Sequence, residues 1–279
     1  MHLDLLHLLR TLRRSPASAA AAVLTLALTI GAGASIFAVV DAALITPPPF
    51  ANPDALVVLG ERPIDDPAAA PRAVPYATFE AWRERAGTLA ALEAYDGTNL
   101  NLTGLGAAER IGAIDITPGL LTLLGVTPAR GRAFDGDDVA RPVVLISHAF
   151  WRARLAGDPD VIGRRLVLGN RTHTIVGVLP ERFAHAFDAS GIWRPLPVTR
   201  AQASRSGYRL IVIARLAPGS TPASLAAALD GVSRSSSPPL RVTATPVAAA
   251  IAGDVRRTLI LLAGAAALAL LIAFINLAG

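Results

Sequence analysis

The chain contains no cysteine and no lysine. Without cysteine there is neither a disulfide framework nor thiol chemistry. Without lysine no Gly-x-x-x-x-Gly-Lys-Ser/Thr loop can form, so the chain does not hold ATP through a P-loop. Charge is scarce too. Only 17% of residues are charged against 52% hydrophobic, and the mean hydropathy of +0.47 is apolar for a soluble protein and points to membrane spans. All 26 cationic residues are arginine. The pI of 10.8 therefore reflects arginine's very high pKa more than the net charge of +5. The arginines are interspersed with acids along the chain instead of gathering on one tail, which weighs against nucleic-acid binding.

Motifs of catalysis are also missing. Gly-x-Ser-x-Gly, the serine-hydrolase elbow, does not occur. His2, His7, His148, His173 and His185 are scattered without metal-ligand spacing. The acidic run Asp135-Gly136-Asp137-Asp138 suggests calcium at first sight, but Ile146 stands where an EF-hand loop needs its glutamate. A polar turn is the simpler reading. Asn101-Leu102-Thr103 and Asn170-Arg171-Thr172 fit the short glycosylation pattern. Trp82, Trp151 and Trp193 sit in structured stretches and read as core. Arg152, Arg154, Arg164 and Arg165 read either as a basic patch for anionic lipid or peptide or as solvated helix and turn positions. No catalytic, cofactor-binding or metal site is expected, and the chain is not expected to be an enzyme.

Two long apolar runs are present. Residues 17–40 carry no charge until Asp41 and are preceded by Ser15 and Pro16, an N-cap and a first-turn proline. At about 1.5 Å rise per residue the run can cross a hydrocarbon layer of about 30 Å. A cleaved signal peptide is the competing reading, but its apolar region would be shorter. The leader, residues 1–16, is amphipathic. Leu5, Leu8, Leu9 and Leu12 share one helical face, and Asp4, His7, Thr11 and Arg14 the other, as suits an interfacial helix. Arg10, Arg13 and Arg14 before the run put the N-terminus in the cytoplasm by the positive-inside rule. The second run, 258–279, follows Arg256 and Arg257. Gly31 with Ser35 and Ala263 with Ala267 place small residues four apart, a spacing that lets helices pack closely in lipid. Neither run contains a charged side chain, so neither reads as an ion or proton path.

Between the runs lies a region long enough to build its own core. Residues 55–59 read as a buried strand, 63–75 as a proline-rich loop and 76–95 as one helix with Phe79, Trp82, Ala86, Leu89 and Leu92 on its apolar face. Strands are expected at 110–116, within 141–147, across a hairpin turning at Gly169-Asn170, at 208–217 and at 240–247. Helices are expected at 118–125 and 148–157, and at 221–232 with Thr221 as N-cap and Pro222 at its first position. Residues 233–239 read as a flexible joint. The alternation is mixed α/β, in two lobes.

Several ordered motifs then resemble one family. They are Leu124-Gly125-Val126, Gly131-Arg132-x-Phe134, Ser147 with Trp151, Gly157-Asp158-Pro159-x-Val161-Ile162-Gly163 and Val176-Gly177-Val178-Leu179-Pro180. Together with residues 213–229 and the two apolar runs, they make the whole chain resemble MacB-like, FtsX-like ABC transporter permeases. The resemblance implies a membrane protein with two transmembrane α-helices flanking a mixed α/β, two-lobed periplasmic domain. Its parts are a cytoplasmic leader at 1–16, a first span at 17–40, a MacB-like periplasmic core at 41–257 with an inserted lobe at 124–200, and a second span beginning at 258–279. Family members continue through further membrane helices, so the chain is expected to be a fragment of a longer permease. The implied setting is the bacterial inner membrane, with the N-terminus cytoplasmic and 41–257 outside. The implied partners are a cytoplasmic ABC ATPase subunit, a second permease copy or half, a periplasmic adaptor or cargo, and membrane lipid. The implied function is to couple ATP hydrolysis by the partner to motion of the outer domain, for export or efflux. An FtsX-like regulator that activates a periplasmic partner without transport is the alternative.

Overall fold

The computed structural model describes residues 50–186, 191–196, 209–235 and 238–250, with helical positions at 27, 30, 31, 34, 261, 262, 264–268 and 271. The leader at 1–16 lies outside them, as does most of 17–40 and 258–279. Among the described residues no helix is long and apolar enough to cross a membrane. The chain divides into two units, one of Pro48–Ala250 and one of Met1–Pro47 with Ile251–Gly279.

The first unit is built in chain order from β1 (Leu56–Pro63), β2 (Val74–Pro75), α1 (Tyr76–Ala86), β3 (Ala90–Thr103), β4 (Glu109–Ile116), α2 (Leu120–Leu124), β5 (Arg130–Gly131), β6 (Val143–Ile146), α3 (His148–Arg154), β7 (Arg165–Leu168), β8 (Arg171–Val178), β9 (Ile192–Pro195), β10 (Arg209–Leu216), α4 (Pro222–Arg234) and β11 (Leu240–Pro246). Most elements fall where local pattern places them. Thr221 caps α4 through a reciprocal box with Ser224, and Ser147 accepts from the Phe150 amide to start α3. Gly169 and Asn170 both take positive φ at the β7–β8 turn, as a tight hairpin requires.

The stretch 76–95 differs. The helix stops at Ala86, Gly87 takes φ 53° and ψ −120°, and Ala90 begins a long strand. Only glycine adopts that backbone readily. Beyond it, Ala90, Leu92 and Ala94 are buried at every second position, the strand period. Leu92 therefore reaches the core from a strand and not from a helix. The short strand β9 has no marked sequence signal and exists through its neighbours, pairing parallel to β4 and antiparallel to β6.

All strands join one 11-stranded sheet; nine run in the order β11-β1-β10-β3-β4-β9-β6-β8-β5, while β2 pairs with β10 and β7 with β3 and β8 off that path. Its first part, β11-β1-β10-β3, is antiparallel throughout. Two β-α-β units, β1-α1-β3 and β10-α4-β11, interleave there as a split, ferredoxin-like pair. Phe79 and Trp82 of α1 and Leu225 and Leu229 of α4 cover one face over Val57, Leu59, Leu92, Val212 and Val242. The chain leaves this half after β3 and returns with β10. The intervening strands close a ring, because β7 pairs with both β3 and β8. Leu102, Ala113, Val144, Ile146, Leu166, Ile175 and Ile192 fill the ring from its several strands, with Phe150 and Trp151 of α3 packed against them. A third core joins the two halves. Leu56 and Ile213 from the open half meet Ile114, Ile116, Leu145 and Trp193 from the ring, and α2 lies among them.

Candidate functional site

The residues singled out by type do not converge. The side chains of His2 and His7 lie outside the described residues, as does that of His185. His148 stacks edge-on against Trp151 at 5.3 Å. Asp135 caps the 3-10 turn Gly136–Ala140 in a box with Asp138, and Asp138 receives the Arg132 guanidinium. Arg132 holds the Asp138 carboxyl below its ordinary range. The acidic run is thus spent on capping and pairing. Asn101 and Asn170 are exposed. Trp82 and Trp193 are fully buried, and the Trp151 indole donates to the Asp158 carbonyl at 2.8 Å. Of the four arginines, Arg154 pairs with Glu109 and Arg164 with Asp158. Among the described residues no group of acidic or histidine side chains is placed to hold a metal ion.

Two other constellations stand out, and single-residue patterns indicated neither. One is a row of charges across the ring. Asp96 of β3 lies directly opposite Asp115 of β4, which lies opposite Arg194 of β9. Facing like charges on adjacent strands repel, and Arg194 offsets this by donating to both Asp115 oxygens, at 2.7 and 2.8 Å. Asp115 is 3% exposed. Burial pushes its carboxyl above the ordinary range, and Arg194 pulls it back down. His173 of β8 belongs to the same electrostatic group. It is buried, its Nδ1 lies 3.0 Å from the Arg171 carbonyl, and burial lowers its basicity, as do the charges of Arg194 and Arg171.

The other constellation is where the chain enters the domain. Arg215 of β10 spreads its guanidinium over three backbone carbonyls. Nε donates to Leu123 at 2.7 Å, one terminal nitrogen to Ala51 at 2.6 Å and the other to Asn52 at 3.3 Å. The planar fork of arginine suits such a spread. The Leu123 carbonyl lies at the C-terminal end of α2, where a cation is favoured. The Ala51 amide in turn donates to the Leu124 carbonyl at 3.0 Å. Gly125 closes α2 at φ 70°, and a Cβ there would collide with that of Ala51. Phe50 is buried and meets Phe183 edge-on at 6.2 Å, and Phe183 meets Trp193 at 5.1 Å. The outgoing end is close by in the fold. Val57 pairs with Pro246 across β1 and β11, and Val247 lies in the same core as Phe50. The chain therefore enters and leaves at one end of one ladder.

This domain can anchor two chain segments side by side. The profile of the MacB-like periplasmic core domain matches residues 19–232. The chain belongs to this family. Solved structures agree at the level of fold. The periplasmic region of MacB from Actinobacillus actinomycetemcomitans is 11% identical, with TM-score 0.54 over 69% of this chain and 88% of that one. The extracellular domain of the noncanonic ABC-type transporter YknZ from Gram-positive bacteria is 15% identical, with TM-score 0.51 over 67% of this chain and 99% of that one. No curated protein matches. Membership of this family, found in ABC transporter permeases, implies in general an ATPase partner and an extracytoplasmic place for the domain. The motif glycines and arginine of the family do structural work here. Gly125 and Gly131 allow close backbone approach, and Arg132 braces the Asp138 turn.

Proposed function

We propose that this chain is the permease subunit of an ABC transporter. A partner ATPase hydrolyses ATP in the cytoplasm, and the permease carries the resulting motion to the outer domain for export or efflux. No chemical step belongs to this chain. The observation that carries the reading is the shared point of entrance and exit. Val57 and Pro246 are cross-strand neighbours, so the domain's incoming and outgoing strands share one end of a ladder, which supports a domain tethered through two membrane helices. The exposure of apolar side chains supports spans there. Ile30 is 54% and Leu261 70% exposed on helical backbone, an arrangement that lipid tolerates and water penalises. By the arginines at 10, 13 and 14, the N-terminus is cytoplasmic and the domain lies outside the inner membrane. A second permease copy or half, a periplasmic adaptor or cargo, and lipid are its further partners.

The test is purification of the tagged full chain from native membranes. A Walker-type ATPase that co-purifies, and whose deletion abolishes the same export phenotype as deletion of this chain, is the expected result. Recovery without any ATPase sinks the reading. Recovery with an ATPase but with cell-wall defects and normal export would favour the FtsX-like regulator. Topology is checked separately. The chain lacks cysteine, so a single Cys at Asn170 should react with an impermeant maleimide in intact cells, and one at His7 should not.

A further inference from the structure

Phe50 and Arg215 together grip both halves of the domain. Arg215 ties Ala51 and Asn52 to β10 of the open half, and through Leu123 to α2. Phe50 reaches the ring through Phe183 and Trp193, and Trp193 is paired through β9 to β4 and β6. Arg215 is itself the cross-strand partner of Leu56, the first residue of β1. The incoming chain is thus fixed from the side by the guanidinium before its own strand begins. A strand end held only by its ladder peels one pair at a time, whereas a side clamp loads several bonds together.

We propose that Arg215 is a positioning residue that makes the incoming segment a rigid extension of both halves, so that displacement of Phe50 moves the open half and the ring as one body. This rests on the permease reading for its purpose, but the clamp is testable without it. Three carbonyls from two segments converge on one side chain, and lysine, a point charge, cannot reproduce the planar fork. Methionine keeps the bulk of the side chain and removes every donor.

The experiment uses the full chain in lipid nanodiscs, where the absence of native cysteine permits paired nitroxides. One label goes at position 49, just ahead of Phe50. It is paired in turn with Ala227→Cys on α4 and with Thr172→Cys on β8, and both of these residues are exposed. The pair Ala227→Cys with Thr172→Cys reports whether the halves stay together. With Arg215 present all three distance distributions should be narrow. Arg215→Met should broaden both distributions that involve position 49 by about twofold and leave the third unchanged, since only local order is lost. Arg215→Lys should fall between. The proposal is overturned if the distributions from position 49 are already broad with Arg215 in place, or are unmoved by Arg215→Met. It is also overturned if all three broaden together, which would make Arg215 a general fold-holding residue. Absence of a partner ATPase would defeat the permease reading and leave these distributions untouched.

Discussion

Asp115 and Arg194 are separated by 79 positions in sequence, and each alone looks like an ordinary surface charge. Their meaning lies in desolvation. Removing one member of a buried pair leaves the other uncompensated, at a cost of about 3–5 kcal/mol. Arg194→Met should therefore destabilise the domain by about that amount, because the buried Asp115 would lose its bidentate partner while still facing Asp96. The double variant Asp115→Leu with Arg194→Met should recover most of the loss, which denaturant unfolding of both variants checks. Asp138 behaves differently. The Arg132 bond lowers its carboxyl below the ordinary value of 3.8, so the folded state binds this proton less tightly than the unfolded chain does. The stability it contributes is fully present above that ordinary value and is lost as pH falls through the lowered one. Melting temperature followed from pH 6 downward should drop in this window, and Asp138→Asn should flatten that part of the curve.

At the element scale, the α1–β3 junction shows how two periods compete in one sequence. Phe79, Trp82, Ala86, Leu89 and Leu92 satisfy a helical stripe, while Ala90, Leu92 and Ala94 satisfy a strand. Gly87 decides between them, because its φ of 53° and ψ of −120° end the helix. Gly87→Ala should cost about 1–3 kcal/mol in a thermal melt, since a Cβ resists that conformation. A loss near zero would show that the helix end is set elsewhere. Elements with strong local signals were readable in advance. Thr221-Pro222 announced α4 and Gly169-Asn170 announced the hairpin, each through hydrogen bonds or dihedrals that span only a few residues. The strand β9 was not readable, because its short run gains its pairing from β4 and β6.

For the whole molecule, the core shared by both halves has an energetic consequence. Leu56, Ile213, Ile116 and Trp193 pack in one cluster drawn from the open half and the ring, and burying each such side chain contributes about 1.5–3 kcal/mol. Neither half can unfold without exposing the other's surface. Pro48–Ala250 should therefore melt in one transition, with hydrogen exchange in β3 and β10 slowing together. Two separated transitions would show that the ring folds by itself.

The apolar runs, the missing P-loop, the mixed α/β alternation and the ordered motifs of the family are legible along the chain, because composition, period and short-range capping are local properties. Folding adds the rest: the chain enters and leaves beside the same ladder, Arg215 closes over Ala51, Asn52 and Leu123, and Asp96, Asp115 and Arg194 form one row. These depend on strand order and register, which bring residues distant in sequence into contact, and no spacing along the chain encodes them.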